Sequence, residues 1–312
     1  MSERILLTGG AGYLGSVMCE RCLKAGYAVT VLDNLLYHQE TLLHVCTHPG
    51  FSFVRGDVRD RDLMDRMISQ HDILVPLAAI VGAPACDQDP HLAQSVNLDA
   101  VGLMNKLCSP NQLVVFPVTN SGYGTQSGEL HCTEQTPLEP ISLYGQTKVQ
   151  AEQELLSRGN AVTLRLATVF GVSPRMRLDL LVNHFTFVAV TDGYIVIFEQ
   201  HFKRNFVHIR DVADCFLHAF KHRRDMVGQP FNVGLDSANI SKQELAEAIR
   251  AQVPRFHIEY SEIGRDPDQR NYIVSNEKLR QAGFEASVSL EQGVNELITA
   301  YRMLGRSRYK NA

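Results

Sequence analysis

The 312 residues carry 45% hydrophobic and 21% charged side chains, with 22 Gly, 12 Pro and a formal net charge of −4. That balance excludes a disordered chain, a collagen-like chain and a disulfide scaffold, and the length suffices for a large core without metal or crosslink. A slightly acidic chain presents no global field for nucleic acid or acidic lipid, so a soluble globular protein with a small-molecule ligand is expected.

Along the first half, short β-branched runs alternate with longer amphipathic ones. Ile5–Thr8, Ala28–Asp33, Phe51–Arg55, Ile73–Pro76 and Leu113–Val118 are expected as strands. Ser16–Ala25, Gln39–Cys46, Asp60–Ser69 and Leu92–Leu107 place apolar residues three and four apart, as Leu92, Val96 and Ala100 do, and are expected as helices. Helix Gln146–Leu156 and strand Val162–Leu166 add a sixth unit. Strands that are near-continuously apolar, alternating with helices, imply an α/β fold: a Rossmann-type, doubly wound parallel sheet covered on both faces.

After Gly171 the pattern changes. Helices at Leu178–Val190, Arg210–His222, Lys242–Ala251 and Glu291–Leu304 mix with isolated strands such as Tyr194–Phe198. The division expected is a nucleotide-binding domain over 1–171 and a smaller α/β substrate lobe over 172–312. No Pro/Ser-rich linker separates them, so the chain is free to cross between lobes around a shared cleft. Seven scattered cysteines, an odd number and mostly inside apolar stretches, read as reduced thiols in a cytoplasmic protein. Arg4–Thr8 already reads as a core strand and not as a secretory leader. The longest apolar run, Ile73–Pro84, falls short of the ~20 residues that cross a bilayer.

Chemistry enters at the first turn. Thr8-Gly9-Gly10-Ala11-Gly12-Tyr13-Leu14-Gly15 sets glycines at 9, 12 and 15 between the first strand and the first helix. Side chains at those positions would block the tight turn and hold the helix N-terminus away from a pyrophosphate. Asp33 follows Gly15 by 18 residues, at the end of the second strand. A carboxylate there accepts from ribose hydroxyls and repels a 2′-phosphate, which favours NAD over NADP. Asn34 is placed to assist at the ribose, and Asp57, followed by Val58, to accept from the adenine amino group. Leu77-Ala78-Ala79 ends the fourth strand with small residues, as close passage of a cofactor requires.

Tyr144 and Lys148 stand four apart at a helix start and share a face. A phenol with an ordinary pKa near ~10 is a poor base at neutral pH, and an adjacent ammonium favours its ionised form. Thr119, ending the fifth strand, is placed to share a hydrogen bond with a substrate hydroxyl whose proton leaves through Tyr144 as hydride departs.

With these residues assembled, the chain resembles the extended short-chain dehydrogenase/reductases, specifically the NAD-dependent nucleotide-sugar epimerases and dehydratases. The resemblance covers the Gly9–Gly15 turn, Asp33, Gly56-Asp57, Leu77-Ala78-Ala79, Asn97, Thr119–Gly124, Tyr144, Lys148 and Arg204-Asn205-Phe206-Val207-His208. It implies that Asn97 belongs to the cofactor site and that Arg204 and Arg270 bind the diphosphate of a sugar nucleotide, a task suited to guanidinium forks. Pro76–Cys86, Thr119–Gly124, Arg165–Asn183, Arg204–Val212 and Asp266–Asn276 look like the bacterial GDP-manno-heptose 4-dehydrogenases of capsule biosynthesis. That likeness implies a substrate site drawing on Val81, Asn120, Ser121, Thr168, Arg175, Arg177 and Asn183. Paired homodimer helices are expected from the apolar faces of Leu92–Leu107 and Gln146–Leu156.

Departures from the family pattern narrow the chemistry. Dehydratases of the family place an Asp-Glu pair directly after the catalytic Thr, where this chain has Asn120 and Ser121. Neither can protonate a leaving hydroxyl in the same way, which argues against 4,6-dehydration. Pro76 replaces the family's His and Thr168 its Asn, so the sugar pocket is altered and simple epimerisation is less assured. The expected reaction is oxidation of a sugar 4-hydroxyl. The ketone is then either released, as in a dehydrogenase, or turned and reduced again, as in a 4-epimerase. A non-catalytic NAD-binding regulator would need the glycine turn but not Tyr144 and Lys148. Cys19 and Cys22, His44 with Cys46 and His48, and His218 with His222 lack further ligands, and no metal is expected. Ser127 lacks a nucleophile elbow.

Overall fold

The six strands expected in the first half pair with a seventh as one parallel sheet in the order Gln229–Val233, Ala161–Leu166, Leu113–Thr119, Ile73–Pro76, Arg4–Thr8, Ala28–Asp33, Phe51–Arg55. The structure, a computed structural model, describes residues 2–124, 131–262 and 273–304. Alternation along each strand sends side chains to two cores. Ile5, Leu7, Val29, Val31, Ile73 and Val75 meet Met18, Cys19 and Cys22 of helix Tyr13–Lys24, and Val212, Cys215 and Phe216 of helix Ile209–Lys221. On the other face Leu6, Leu74, Val114 and Phe116 meet Met64, Met104, Ala151 and Leu155 from helices Arg61–Ile68, Ala100–Leu107 and Leu143–Leu156. Both faces are thus covered, which is why the inner strands are largely apolar.

The chain starts at the interior strand Arg4–Thr8, runs outward to Phe51–Arg55, then restarts on the other side at Ile73–Pro76. This reversal opens a crevice at the strand C-termini, where Thr8 is in register with both Leu32 and Pro76. The chain crosses the expected 171/172 division. Helix Ile209–Lys221 covers the sheet and Gln229–Val233 extends it beside Ala161–Leu166. A separate core around Phe170, Val182, Phe185, Phe206, Leu245, Ile249 and Leu297 holds the second lobe. Its small sheets join Thr168–Phe170, Lys203–His208 and Asn239–Ser241, and pair Tyr194–Phe198 with His257–Ser261.

Three elements differ from the sequence expectation. Gln39–Cys46 is not a helix; only Leu43–Val45 makes a 3₁₀ turn. Side chains there bond to backbone instead: Thr41 Oγ1 donates to the Ala11 carbonyl at 2.8 Å, and the Tyr37 amide donates to Gln39 at 3.1 Å. The Leu92–Leu107 run starts at Pro90 behind the Asp89 cap and contains a π-helical turn at Ser95–Asp99. The extra residue of that turn swings Asn97 inward. Finally, Gln229–Val233 forms a strand of the main sheet where the sequence leads to no such expectation. Among the described residues no helix is long and apolar enough to cross a membrane.

Candidate active site

A cleft of about 820 Å³ runs along the strand C-termini between the lobes. Gly9, Gly12, Tyr13, Leu14 and Gly15 line one end. Gly9 has φ +69°, and a Cβ there would lie 2.5 Å from the Ala78 amide nitrogen. The first and fourth strands can approach this closely only without a side chain. Gly12 caps helix Tyr13–Lys24 with no capping side chain, so the first-turn amides are left for an external anion.

Asp33 lies in the same wall, 7% exposed. Oδ2 accepts from the Ala11 amide at 3.0 Å and Oδ1 from the Leu35 amide at 2.8 Å. Burial raises its pKa, and those two backbone bonds oppose the rise. A carboxylate offers about four acceptor positions, so capacity for a ribose remains. Asn34 and Val58 line the cleft beside it, as does Asp57. Both Asp57 oxygens are held by Arg59, at 2.9 and 2.8 Å, and that side-chain hydrogen bond is the largest cause of a lowered pKa. Leu77, Ala78 and Ala79 form the floor.

Thr119, Tyr144 and Lys148 all line the same cleft. Thr119 closes its strand; Oγ1 accepts from the Ser121 amide at 3.1 Å and donates to Ser121 Oγ at 3.0 Å. Ser142 caps helix Leu143–Leu156, accepting from the Gly145 amide at 3.1 Å, which sets Tyr144 in the first turn. Tyr144 packs against Ile80, Cys86 and Ala93. One turn on, Lys148 is 4% exposed, its Nζ 4.0 Å above the Phe116 ring centre. Burial pushes the ammonium down to about 7, and the charge of Glu152 opposes this in part. Lys148 lines the cleft, so its ammonium is a donor available to a ligand there. The hydroxyls of a nicotinamide ribose would supply an acceptor, and the residues present therefore fit NAD.

Of the residues expected around the substrate, Val81, Ser121, Thr168, Arg175, Arg177 and Arg204 line the cleft. Arg175 stacks 5.0 Å from the Tyr37 ring centre. Asn97, Asn120 and Asn183 do not line it. Asn97 brackets the fourth strand's exit, accepting from the Ile80 amide at 2.8 Å and donating to its carbonyl at 2.9 Å. Asn183 pins the 171–177 loop from behind, and Asn120 is buried at 3% exposure. Arg270 lies outside the described residues.

Four side chains escaped the sequence reading: Tyr37 under Arg175, Phe116 under Lys148, Asp179 paired with Arg177, and Glu152. Only Glu152 left a local signal, four residues beyond Lys148 on one helix face. It is 1% exposed and held by Arg165 Nε at 3.0 and 3.1 Å and by Thr163 Oγ1 at 2.7 Å. No group of three His, Cys, Asp or Glu among the described residues is arranged to hold a metal.

A UDP-glucose 4-epimerase of Mycolicibacterium smegmatis is 28% identical, over 96% of this chain and 98% of its own. The low-salt glycan biosynthesis protein Agl12 of Haloferax volcanii is also 28% identical, over 95% of this chain and 98% of its own. The crystal structure of a Thermotoga maritima UDP-glucose 4-epimerase with UDP-glucose superposes with a TM-score of 0.85 at 24% identity, covering 96% of this chain and 99% of that one. The model of the NAD dependent epimerase/dehydratase family matches residues 5–234. The chain is an NAD-dependent enzyme belonging to the epimerase/dehydratase family.

Proposed function

We propose that the enzyme oxidises the C4 hydroxyl of a nucleotide-diphosphate sugar, as a cytoplasmic GDP-manno-heptose 4-dehydrogenase giving a 4-keto sugar for a bacterial surface polysaccharide. The observation that carries the reading is the convergence of Thr119, Tyr144 and Lys148 on one cleft with the glycine turn. NAD, when bound, supplies the hydride acceptor. Tyr144 takes the hydroxyl proton, Lys148 holds the phenol toward its ionised form and anchors the ribose, and Thr119 with Ser121 orients the hydroxyl. Arg204 and Arg175 neutralise the diphosphate, with Arg270 as a further partner by resemblance. Asn120 and Ser121 supply no acid pair, which disfavours 4,6-dehydration. The reading includes a homodimer, to be checked by light scattering. Its reducing compartment is supported by seven free cysteines, six of them buried.

A second reading, 4-epimerisation through a transient ketone, is favoured by the relatives named UDP-glucose 4-epimerase, of which the Mycolicibacterium protein is 28% identical. One experiment separates the two. Purified enzyme is incubated with GDP-, UDP-, CDP- and dTDP-sugars, with absorbance at the wavelength of reduced nicotinamide followed and products identified by mass and NMR. Loss of two hydrogens from a GDP-heptose supports the first reading, unchanged mass with inversion at C4 the second. Loss of water refutes both.

A further inference from the structure

Tyr37 stands four residues past Asp33, on a loop held in a strained shape. Leu35 has φ +55° and His38 φ +52°, the left-handed region that side chains disfavour. Local bonds fix the turn: the Leu35 amide donates to Asp33 Oδ1 at 2.8 Å, the Leu36 amide to Asn34 Oδ1 at 3.0 Å and the Tyr37 amide to Gln39 Oε1 at 3.1 Å. Leu35 packs on the core, but Tyr37 is left 42% exposed and lining the cleft. Backbone strain that holds an exposed aromatic ring over a cleft marks a functional loop.

The ring meets Arg175 from the opposite wall, whose guanidinium carbon lies over it, 5.0 Å from its centre. Arg175 is fixed from behind. Its amide donates to Ser173 Oγ at 3.2 Å, and that hydroxyl donates at 2.7 Å to the carbonyl of Tyr13, in the first turn of helix Tyr13–Lys24. One guanidinium nitrogen donates to the Met176 carbonyl at 2.7 Å. With the backbone anchored and one nitrogen bound, the remaining variable is the tilt of the planar fork, and the Tyr37 ring sets it by covering one face. A stacked guanidinium keeps its N–H groups in the plane, where phosphate oxygens approach it.

We propose that Tyr37 is a positioning residue for the sugar nucleotide: it clasps Arg175 across the cleft and turns the N–H edge of the guanidinium toward the diphosphate. The inference rests on the reading above in giving Arg175 a diphosphate to hold. Because ring and cation come from opposite walls, the same contact fixes the width of the cleft between them. Leucine at position 37 keeps an apolar contact but lacks the ring face; phenylalanine keeps both.

The test uses full-length protein in excess NAD, so that cofactor occupancy is the same throughout. GDP, UDP, CDP and dTDP serve as probes; they carry the diphosphate without a sugar and cannot turn over. Affinities are measured by calorimetry for the wild type, Tyr37→Phe, Tyr37→Leu, Arg175→Ala and the Tyr37→Leu/Arg175→Ala double variant. With the probe that binds best, Tyr37→Leu is expected to weaken binding about fivefold and Tyr37→Phe to stay within about twofold of the wild type. In the Arg175→Ala background Tyr37→Leu is expected to add no loss, since the ring then has nothing to hold. If Arg175→Ala binds too weakly to measure, the contrast between Tyr37→Phe and Tyr37→Leu decides alone. Wild-type affinity in Tyr37→Leu, a Tyr37→Phe as weak as Tyr37→Leu, or the same loss without Arg175 overturns the proposal and leaves the substrate reading standing. A wild type that binds none of the four probes overturns that reading and the proposal with it.

Discussion

Replacing Lys148 by Met should make the cofactor-free protein more stable and catalytically dead. The ammonium moves from an ordinary pKa of 10.5 in the unfolded chain to about 7 in the folded one, chiefly because it is buried. Each pH unit between those values corresponds to about 1.4 kcal/mol, so folding with the charge in place costs about 5 kcal/mol. The sign follows from proton counting. Between pH 7 and 10.5 the unfolded state binds more protons at this site, so stability rises with pH; below about 7 both states are protonated and the full cost is present. Met fills nearly the same volume over Phe116 without a charge to desolvate. Urea unfolding of both proteins, stripped of cofactor, from pH 6 to 9.5 should show the variant ahead by about 5 kcal/mol at the acid end and the difference shrinking by up to about 1.4 kcal/mol per unit above neutrality. Parallel curves would refute the claim that the buried amine costs the fold. Stability gained together with lost turnover is the mark of a group kept for chemistry.

Tyr144→Phe should lower kcat by about 10²–10⁴ while cofactor content after purification is unchanged, as measured by extraction and absorbance. Gly9→Ala must place a methyl 2.5 Å from backbone at φ +69°. The left-handed conformation costs ~1–2 kcal/mol and the overlap ~1–3 kcal/mol, so the urea midpoint should fall and bound cofactor be lost. Arg165→Leu strands the buried Glu152 carboxylate and should cost about 3–5 kcal/mol, much of it recovered in the Arg165→Leu/Glu152→Gln double variant; equal stability of the two would exclude the ion pair as the cause.

What could be read without coordinates was local. The glycine turn, Asp33 and the Tyr144–Lys148 spacing encode geometry within one strand–turn–helix or one helical turn, and six of the seven sheet strands announced themselves by largely apolar runs, Gln229–Val233 being too polar to do so. What was not legible depends on distant contacts. Asn97 shares the spacing of its helix, but a π turn rotates it behind the cleft wall toward Ile80. Asp179 is an ordinary loop carboxylate until the Asn183 clamp brings Arg177 inward. Gln39–Cys46 has helical spacing for one turn only, and its polar side chains find backbone partners that a helix would have denied them.

The Gln229–Val233 strand sets a condition on synthesis. It is the last strand of the sheet to leave the ribosome and occupies the edge beside Ala161–Leu166. Until residue 221 emerges the helix at Ile209–Lys221 has yet to cover the face above, and until residue 233 emerges that neighbour's hydrogen-bonding edge stays unpaired. A protein cut at 171 would therefore stay in that adhesive condition, prone to aggregate or to recruit a chaperone, although it holds every residue of the glycine turn and the Tyr-Lys pair.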